Sequence, residues 1–403
     1  MKIALFLEAY LTYFNGVKTH VDTLKNGLEK LGHEVLVVCA LPKIKKHYLK
    51  DGVLCCPGMS LKKIYNYGVA KPISATRFKY IKNFKPDIVH IHTEFGIGFS
   101  GVSAARLLKI PYVYTMHTMY DDYVYYIAPK KLINVAKKFM HFYAKLLAKK
   151  ASCVVGPSVK ISDFFKSCGL KKEIEIVQNS VELDLFNSGS IDFSKKIDLK
   201  KKIGIKDGEF VGCFCGRLGK EKNVDVLIKN FKELVKRKKN NKLLIFGDGP
   251  DRKNFENLAK QLNVLDNVIF LGKIEHEKLP LFYSICDFYI TASLSEVNSI
   301  SRLEAMASGL FVFSISDELN NYQIENWVNG VTYENVEEMM DLIEKFESLN
   351  EEERQILREK TRNSVLKFGE EDLAKRMLFV YEKAFKNYSE NKLKSKFKTI
   401  IKN

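Results

Sequence analysis

Two carboxylates in the stretch "SEVNSISRLEAMASG" (295–309) are spaced to work on either side of a bound anion. Glu296 and Glu304 stand eight positions apart, directly after the apolar run "FYITAS" (288–293). The first therefore falls just beyond a strand and the second inside a helix. A helix starting near Asn298–Ser301 offers free backbone N–H groups and a positive dipole end, which together favour phosphate. Carboxylates do not bind phosphate, but they accept hydrogen bonds from hydroxyls on either side of it. A phosphate flanked by hydroxyls is the outline of a nucleotide sugar, with Glu296 toward the hexose and Glu304 toward the ribose. The same letters also read as a helix cap, because Ser301-Arg-Leu-Glu304 has capping-box spacing.

A second candidate lies in "GRLGKEKN" (216–223), where Arg217 and Lys222 are five residues apart. A guanidinium grips phosphate oxygens in pairs and an ammonium adds a mobile point charge, so the two suit a diphosphate. Two surface cations beside a turn have the same appearance.

The elements that must hold these residues can be read from apolar runs. "KIALFL" (2–7), "HEVLVVCA" (33–40), "DIVHIHT" (87–93), "YVYTMH" (112–117) and "CVVGPS" (153–158) are strand candidates. The helix after the first has apolar positions at Val21, Leu24, Leu28 and Leu31 and stops near Gly32. The pattern restarts with "FVGCFCGRL" (210–218), "KLLIFGDG" (242–249), "NVIFLGKI" (267–274), "FYITAS" and "LFVFSI" (310–315), and residues 336–391 look almost wholly helical. Alternating strands and helices make parallel sheets covered on both faces. The expectation is α/β: two doubly wound, Rossmann-like domains facing across a cleft. The first covers 1–186, with a C-terminal helix of about 376–403 packing back on it, and the second covers 187–375. A lysine-rich stretch to Ile205 reads as the connection. Neither domain has GxGxxG after its first strand, which argues against a dinucleotide-dependent oxidoreductase.

Charge is distributed unevenly. Of the net +17, residues 1–180 hold 28 Lys/Arg against 12 Asp/Glu, and the remainder is nearly balanced. A basic half points to a polyanionic partner, an anionic membrane or a nucleic acid. Eight cysteines without a CxxC pair suggest neither a disulfide framework nor a zinc site. "MKIALFLEAYL" is broken by Glu8 and reads as a strand, and no apolar run reaches the ~18 residues of a spanning helix.

Taken together, the E-x7-E motif running into "EAMASG", "GRLGKEKN" about eighty residues earlier, the opening "EAYLTYFNGVKTHVDTLKNGLEKLGHEVLVV", "PDIVHIHTEFGIG" and "YTMHTMYDDYVYYI" resemble the retaining GT-B nucleotide-sugar glycosyltransferases of family 4 type. Within that family they look most like its bacterial diacylglycerol glucosyltransferase branch. The resemblance covers about residues 1–385. It implies that the glycine loop, Asn15-Gly16, lies against the donor diphosphate and that His117 contacts a hydroxyl of the transferred sugar. It implies further that Arg217 and Lys222 bind the diphosphate, with Asn298, Ser299 and Ile300 also at the donor. Glu296 and Glu304 match the sugar-binding and ribose-binding carboxylates. Catalytic roles are expected for His117, Glu296, Arg217 and Lys222. His90 and His92 share a strand face, but the sequence shows no third ligand, so no metal is expected; no cofactor is expected either, and no D-x-D occurs. Two departures from the pattern are Ser299, where the family usually has glycine, and Phe311, where proline is common.

The acceptor is sought in the basic half. "PKKLINVAKKFMHFYAKLLAKKAS" (129–152) spaces Leu132, Ala136, Phe139, Tyr143 and Leu146 as one helix face, flanked by Lys130, Lys131, Lys137, Lys138, Lys145, Lys149 and Lys150. A basic amphipathic helix reads as membrane-surface attachment. The expected reaction is metal-independent, retaining transfer of a hexose, glucose by the resemblance, from a UDP-sugar to a lipid, 1,2-diacylglycerol. The expected location is the cytoplasm, peripheral on the inner face of the membrane. A soluble or cell-wall acceptor, a GT-B sugar-nucleotide epimerase and a nucleic-acid-binding module stay open as alternatives; no nucleic-acid motif supports the last, and nothing fixes the oligomeric state.

Overall fold

The computed structural model describes residues 1–11, 16–61, 67–119, 129–187, 189, 191–294, 296–317 and 323–402, without side chains at 61, 67, 130 and 394–402. The chain divides into two compact units, Met1–Ser180 with Glu370–Asn403, and Val181–Gly369. Both boundaries fall slightly earlier than the apolar pattern places them. Val181 and Phe186 are buried in the second unit's core, and Leu373 and Ala374 in the first's.

The first unit starts with β1 (Lys2–Phe6), α1 (Gly16–Lys30), β2 (Glu34–Pro42), β3 (Tyr48–Lys50), β4 (Val53–Leu61) and β5 (Tyr67–Ala70). It continues with α2 (Ala75–Phe84), β6 (Ile88–Ile91), α3 (Gly96–Leu108), β7 (Tyr112–Thr115), α4 (Ile133–Lys150), β8 (Cys153–Gly156), α5 (Val159–Ser167) and β9 (Glu175–Ile176). Its sheet runs β3-β4-β2-β1-β6-β7-β8-β9, with β5 also on β4. Strands β1, β2, β4, β6, β7, β8 and β9 are mutually parallel. β1, β6, β7 and β8 are apolar and buried almost throughout, as a parallel sheet covered on both faces requires.

The second unit contains α6 (Phe193–Ile203), β10 (Phe210–Cys215), α7 (Val224–Arg237), β11 (Asn241–Phe246), α8 (Arg252–Gln261), β12 (Val268–Gly272) and α9 (Leu279–Tyr283). Then come β13 (Phe288–Thr291), α10 (Ile300–Ala307), β14 (Phe311–Ile315), β15 (Gly330–Tyr333), α11 (Val336–Glu347) and α12 (Glu351–Ser364). The sheet is wholly parallel, in the order β12-β11-β10-β13-β14-β15. The lysine-rich stretch read as a connection forms α6. Asp192 caps it by accepting from Ser194 N, Gly204 closes it in the left-handed region, and Leu199 is its one buried residue.

Helix α13 (Glu370–Lys402) returns to the first unit. Its Leu373, Met377, Val380 and Tyr381 share a core with Val21, Leu24 and Leu28 of α1, each side chain contributing about 1.5–3 kcal/mol of burial. Gly27 permits the approach: a Cβ there would lie 2.2 Å from the Glu370 carbonyl oxygen.

Candidate active site

In the second unit β10, the first strand, lies mid-sheet, with β11 on one side and β13 on the other. The connections run in opposite directions from this point, and doubly wound sheets bind ligands beyond the strand ends there. The loops after β10 and β13 carry the charged candidates. Arg217 is two residues past β10, 3.9 Å from Glu221, and Lys222 closes a 3-10 turn, Lys220–Lys222. Asn223 donates to the Ala292 carbonyl at 3.1 Å, fastening one loop to the other. Lys222 Nζ then donates to Glu296 Oε1 at 2.7 Å, with both side chains largely withdrawn from solvent. The "GDGPDR" stretch supports this loop and is not a dinucleotide fingerprint, because a Cβ on Gly249 would sit 2.2 Å from the Leu218 carbonyl oxygen.

Helix α10 begins at Ile300 with Ser299 as N-cap, and Asn298 and Ser299 are buried. Ser299 makes no side-chain capping bond; its hydroxyl meets Ser301 Oγ at 3.3 Å, and Ser301 Oγ meets Tyr289 OH at 3.1 Å. Glu304 is likewise not used as a cap. It accepts from His276 Nε2 at 2.9 Å, which removes the capping-box reading. His276 also has Glu182 Oε1 3.8 Å from Nδ1, and Phe186 packs on its ring. Burial disfavours the charged imidazole, but the Glu304 hydrogen bond and the two carboxylates outweigh it and raise its pKa. The sequence carried no signal for His276, since a lone histidine after a strand is usually structural. The two family departures are accommodated. Ser299 has φ −75°, so no left-handed conformation demands glycine, and Phe311 stacks on Phe346 at 5.0 Å in the core.

The first unit has the same topology around β1 and β6, but its strand-end groups are different. His90 ends fully engaged, with Nδ1 2.9 Å from Tyr381 OH and Nε2 2.7 Å from Thr115 Oγ1. His92 Nδ1 lies 2.9 Å from His117 Nε2, and His20 Nδ1 lies 2.9 Å from Asn179 Oδ1. Burial depresses all four imidazoles, His20 to about 4 and the others well below the ordinary value, so they are neutral at pH 7. The sequence shows no third ligand beside His90 and His92, and the structure groups His92 with two other imidazoles rather than with His90. His20 from α1 and His117 from the end of β7 supply what one strand alone could not show.

Two buried carboxylates complete this face. Glu8 accepts from Ala70 N at 3.1 Å and Ile97 N at 2.7 Å, serving as the cap of α3, whose N-cap residue Phe95 makes no side-chain capping hydrogen bond. Glu94 accepts from Tyr114 OH at 2.7 Å. Burial pushes both up to about 7, against the hydrogen bonds that favour their ionised forms.

Gly16 is the first residue of α1 and exposed; Asn15 lies outside the described residues. The basic helix α4 starts at Ile133, and Leu132 precedes it in a 3-10 turn. Its apolar stripe lies on the exposed face. Ala144, Leu147 and Ala148 are buried, while Leu132, Val135, Phe139, Phe142 and Leu146 form an exposed stripe, Phe139 at 62% and Phe142 at 65%. Tyr143 of this helix donates to the Glu94 carbonyl at 2.7 Å, and Lys172 donates to its last carbonyls. Lys131 and Lys138 are exposed and Lys137 and Lys145 half-buried; the Lys130 side chain is outside the described set.

The overall fold and these sites place the molecule among GT-B glycosyltransferases. An Anabaena protein, Alr3699/HepE, solved in complex with UDP-glucose, superposes with a TM-score of 0.71 at 16% identity, covering 95% of this chain and 99% of that one. A sucrose-phosphate synthase from Thermosynechococcus elongatus gives 0.74 at 17% identity, covering 95% of this chain and 99% of that one. The family model for glycosyltransferase family 4 matches residues 14–185, and that for glycosyl transferases group 1 matches residues 195–364. An alpha-monoglucosyldiacylglycerol synthase of Acholeplasma laidlawii is 32% identical over 346 residues, spanning 84% of this chain and 86% of the relative. One of Streptococcus pneumoniae is 31% identical over 333 residues, spanning 83% and 75%. The chain belongs to the GT-B glycosyltransferases of family 4 type and is a glycosyltransferase.

Proposed function

We propose that the protein transfers glucose from UDP-glucose to 1,2-diacylglycerol at an anionic membrane surface, with retention of anomeric configuration. The observation that carries this reading is the Lys222–Glu296 contact at the second unit's strand reversal. It brings a cation, a carboxylate and the amino end of α10 to one place. There Arg217 and Lys222 neutralise the charge that grows on the departing diphosphate, helped by the N–H groups at Asn298, Ser299 and Ile300. Glu296 exchanges part of its bond to Lys222 for sugar hydroxyls, and Glu304, oriented by His276, accepts from the ribose. Gly16 lets a backbone N–H approach the phosphates, and His117 holds a hydroxyl of the transferred sugar.

The bond from the anomeric carbon to phosphate oxygen breaks, and a new one forms to the acceptor oxygen from the same face. The acceptor proton passes to the departing phosphate oxygen. The two cations do the neutralising, so the reaction proceeds without added metal or cofactor.

The lipid acceptor is supported by the names of the two relatives and by α4. Its exposed stripe of Val135, Phe139, Phe142 and Leu146, flanked by Lys131, Lys138, Lys149 and Lys150, suits insertion into an anionic leaflet. Among the described residues no helix is long and apolar enough to cross a membrane; the attachment proposed here is peripheral, on the inner, cytoplasmic face. The test supplies several UDP-sugars with diacylglycerol vesicles and identifies lipid product by mass and anomeric NMR. An α-glucosyl lipid formed in chelator supports the reading. Product only on a soluble or cell-wall acceptor, or interconversion of the sugar nucleotide, overturns it.

A further inference from the structure

We infer that His20, His92 and His117 form a binding site for a zinc-class divalent cation. One ligand atom from each lies within 4.8 Å of the other two. A tetrahedral ion with bonds of about 2.0–2.1 Å wants its nitrogens about 3.3 Å apart, so the rings need to close by roughly 1.5 Å at most. The three come from separate elements, α1, the end of β6 and the segment after β7, which lets each ring adjust alone.

Two observations beyond proximity favour an ion. The Asn179 oxygen accepts from His20 Nδ1, which fixes the tautomer with a lone pair on Nε2. That Nε2 is buried and has no hydrogen-bond partner. His92 Nε2 is likewise buried and without a partner, and the bond of 2.9 Å between His92 Nδ1 and His117 Nε2 is given up when both rings turn a lone pair to the ion. Two buried orphan nitrogens beside a third imidazole are costly in a finished core and are what a metal satisfies. Asn179 then plays the part of the outer hydrogen-bond acceptor that ligating histidines have. His90 is excluded, since Tyr381 and Thr115 occupy both its nitrogens. His117 is only half-buried and provides the way in. Three imidazoles with a fourth position left for water suit zinc, cobalt, nickel or copper better than magnesium or calcium. This site is separate from the cations proposed to neutralise the diphosphate. Because His117 is also proposed to hold the sugar, an ion here inhibits transfer, a consequence that rests on that reading.

The test titrates the full-length, chelator-treated protein with cobalt(II) and records its visible spectrum, which needs no enzymatic activity. Intense tetrahedral bands at one equivalent, bleached by zinc, are expected. His20→Gln and His92→Gln should abolish them while thermal unfolding stays cooperative. Asn179→Ala, a gentler change, should weaken cobalt binding about 10- to 100-fold. A spectrum that remains that of hydrated cobalt, or bands retained in both histidine variants and undiminished in Asn179→Ala, overturns the assignment. Glucosyl transfer measured separately then stands or falls on its own.

Discussion

The two units place their first strand mid-sheet and gather polar side chains where the connections reverse, yet the two collections differ in charge. The second unit's site is ionic, with Lys222 paired to Glu296 and His276 held between Glu304 and Glu182. The first unit's site is far less charged, built from neutral imidazoles and from carboxyl groups whose pKa values burial moves up to about 7. Net charge runs the other way: the first 180 residues carry nearly the whole +17. The first unit's excess of lysines therefore lies largely on its surface, those of α4 among them, while the second unit, nearly balanced in charge, brings opposite charges together at its site. Where an anion binds is decided by cations brought together and desolvated, since exposed lysines are screened within about 8–10 Å at physiological salt.

The sharpest way to break this contrast is to remove the ionic pair. Lys222→Met removes the ammonium that meets Glu296 and takes a cation from the diphosphate, so kcat/KM should fall about 100- to 1,000-fold. A loss below tenfold would contradict the assignment. On the first unit, Phe139→Ser with Phe142→Ser should weaken sedimentation with anionic vesicles at least ~100-fold, because the two rings together contribute about 3–6 kcal/mol when buried. UDP affinity should not change. Lys138→Gln should cost about fivefold in vesicle binding at low salt, near 1 kcal/mol, and less as salt rises; salt-independent binding would remove the electrostatic part of the argument. His276→Gln has the smallest expected effect, a few-fold rise in KM for the UDP-sugar with kcat nearly unchanged. It also carries a pH signature. Folding raises the His276 pKa above its unfolded value of about 6.5, so its stabilisation is complete below that pH and fades as pH rises through the folded value. The difference in Tm between parent and variant should therefore shrink with rising pH; a constant difference would rule out the charged ring.

Much of this contrast could be read from the chain because strand-end loops of a parallel sheet are local. Glu296, Glu304, Arg217 and Lys222 each follow an unmistakable apolar run, and α10 starts at Ile300, within the expected range of 298–301. The Lys222–Glu296 bond was not legible. It depends on β10 pairing with β13 and spans 74 residues. The imidazole cluster was missed for the same reason, since its members come from three segments. Strands β3, β4 and β5 were missed because "KIKKHYLK" and "CCPGMS" lack a clear period, and β3 and β5 are stabilised by antiparallel pairing with β4. For α4 the spacing of apolar residues was right, but periodicity does not say which face meets the protein. The small residues Ala144 and Ala148, with Leu147, took the buried side.

Calorimetric titration of the whole protein with UDP puts the central claim to the most direct test. Tight binding in the parent, lost at least tenfold in both Arg217→Ala and Lys222→Ala but kept in His92→Gln, is the expected result. Equal affinity across all four proteins would place the nucleotide elsewhere and contradict the account.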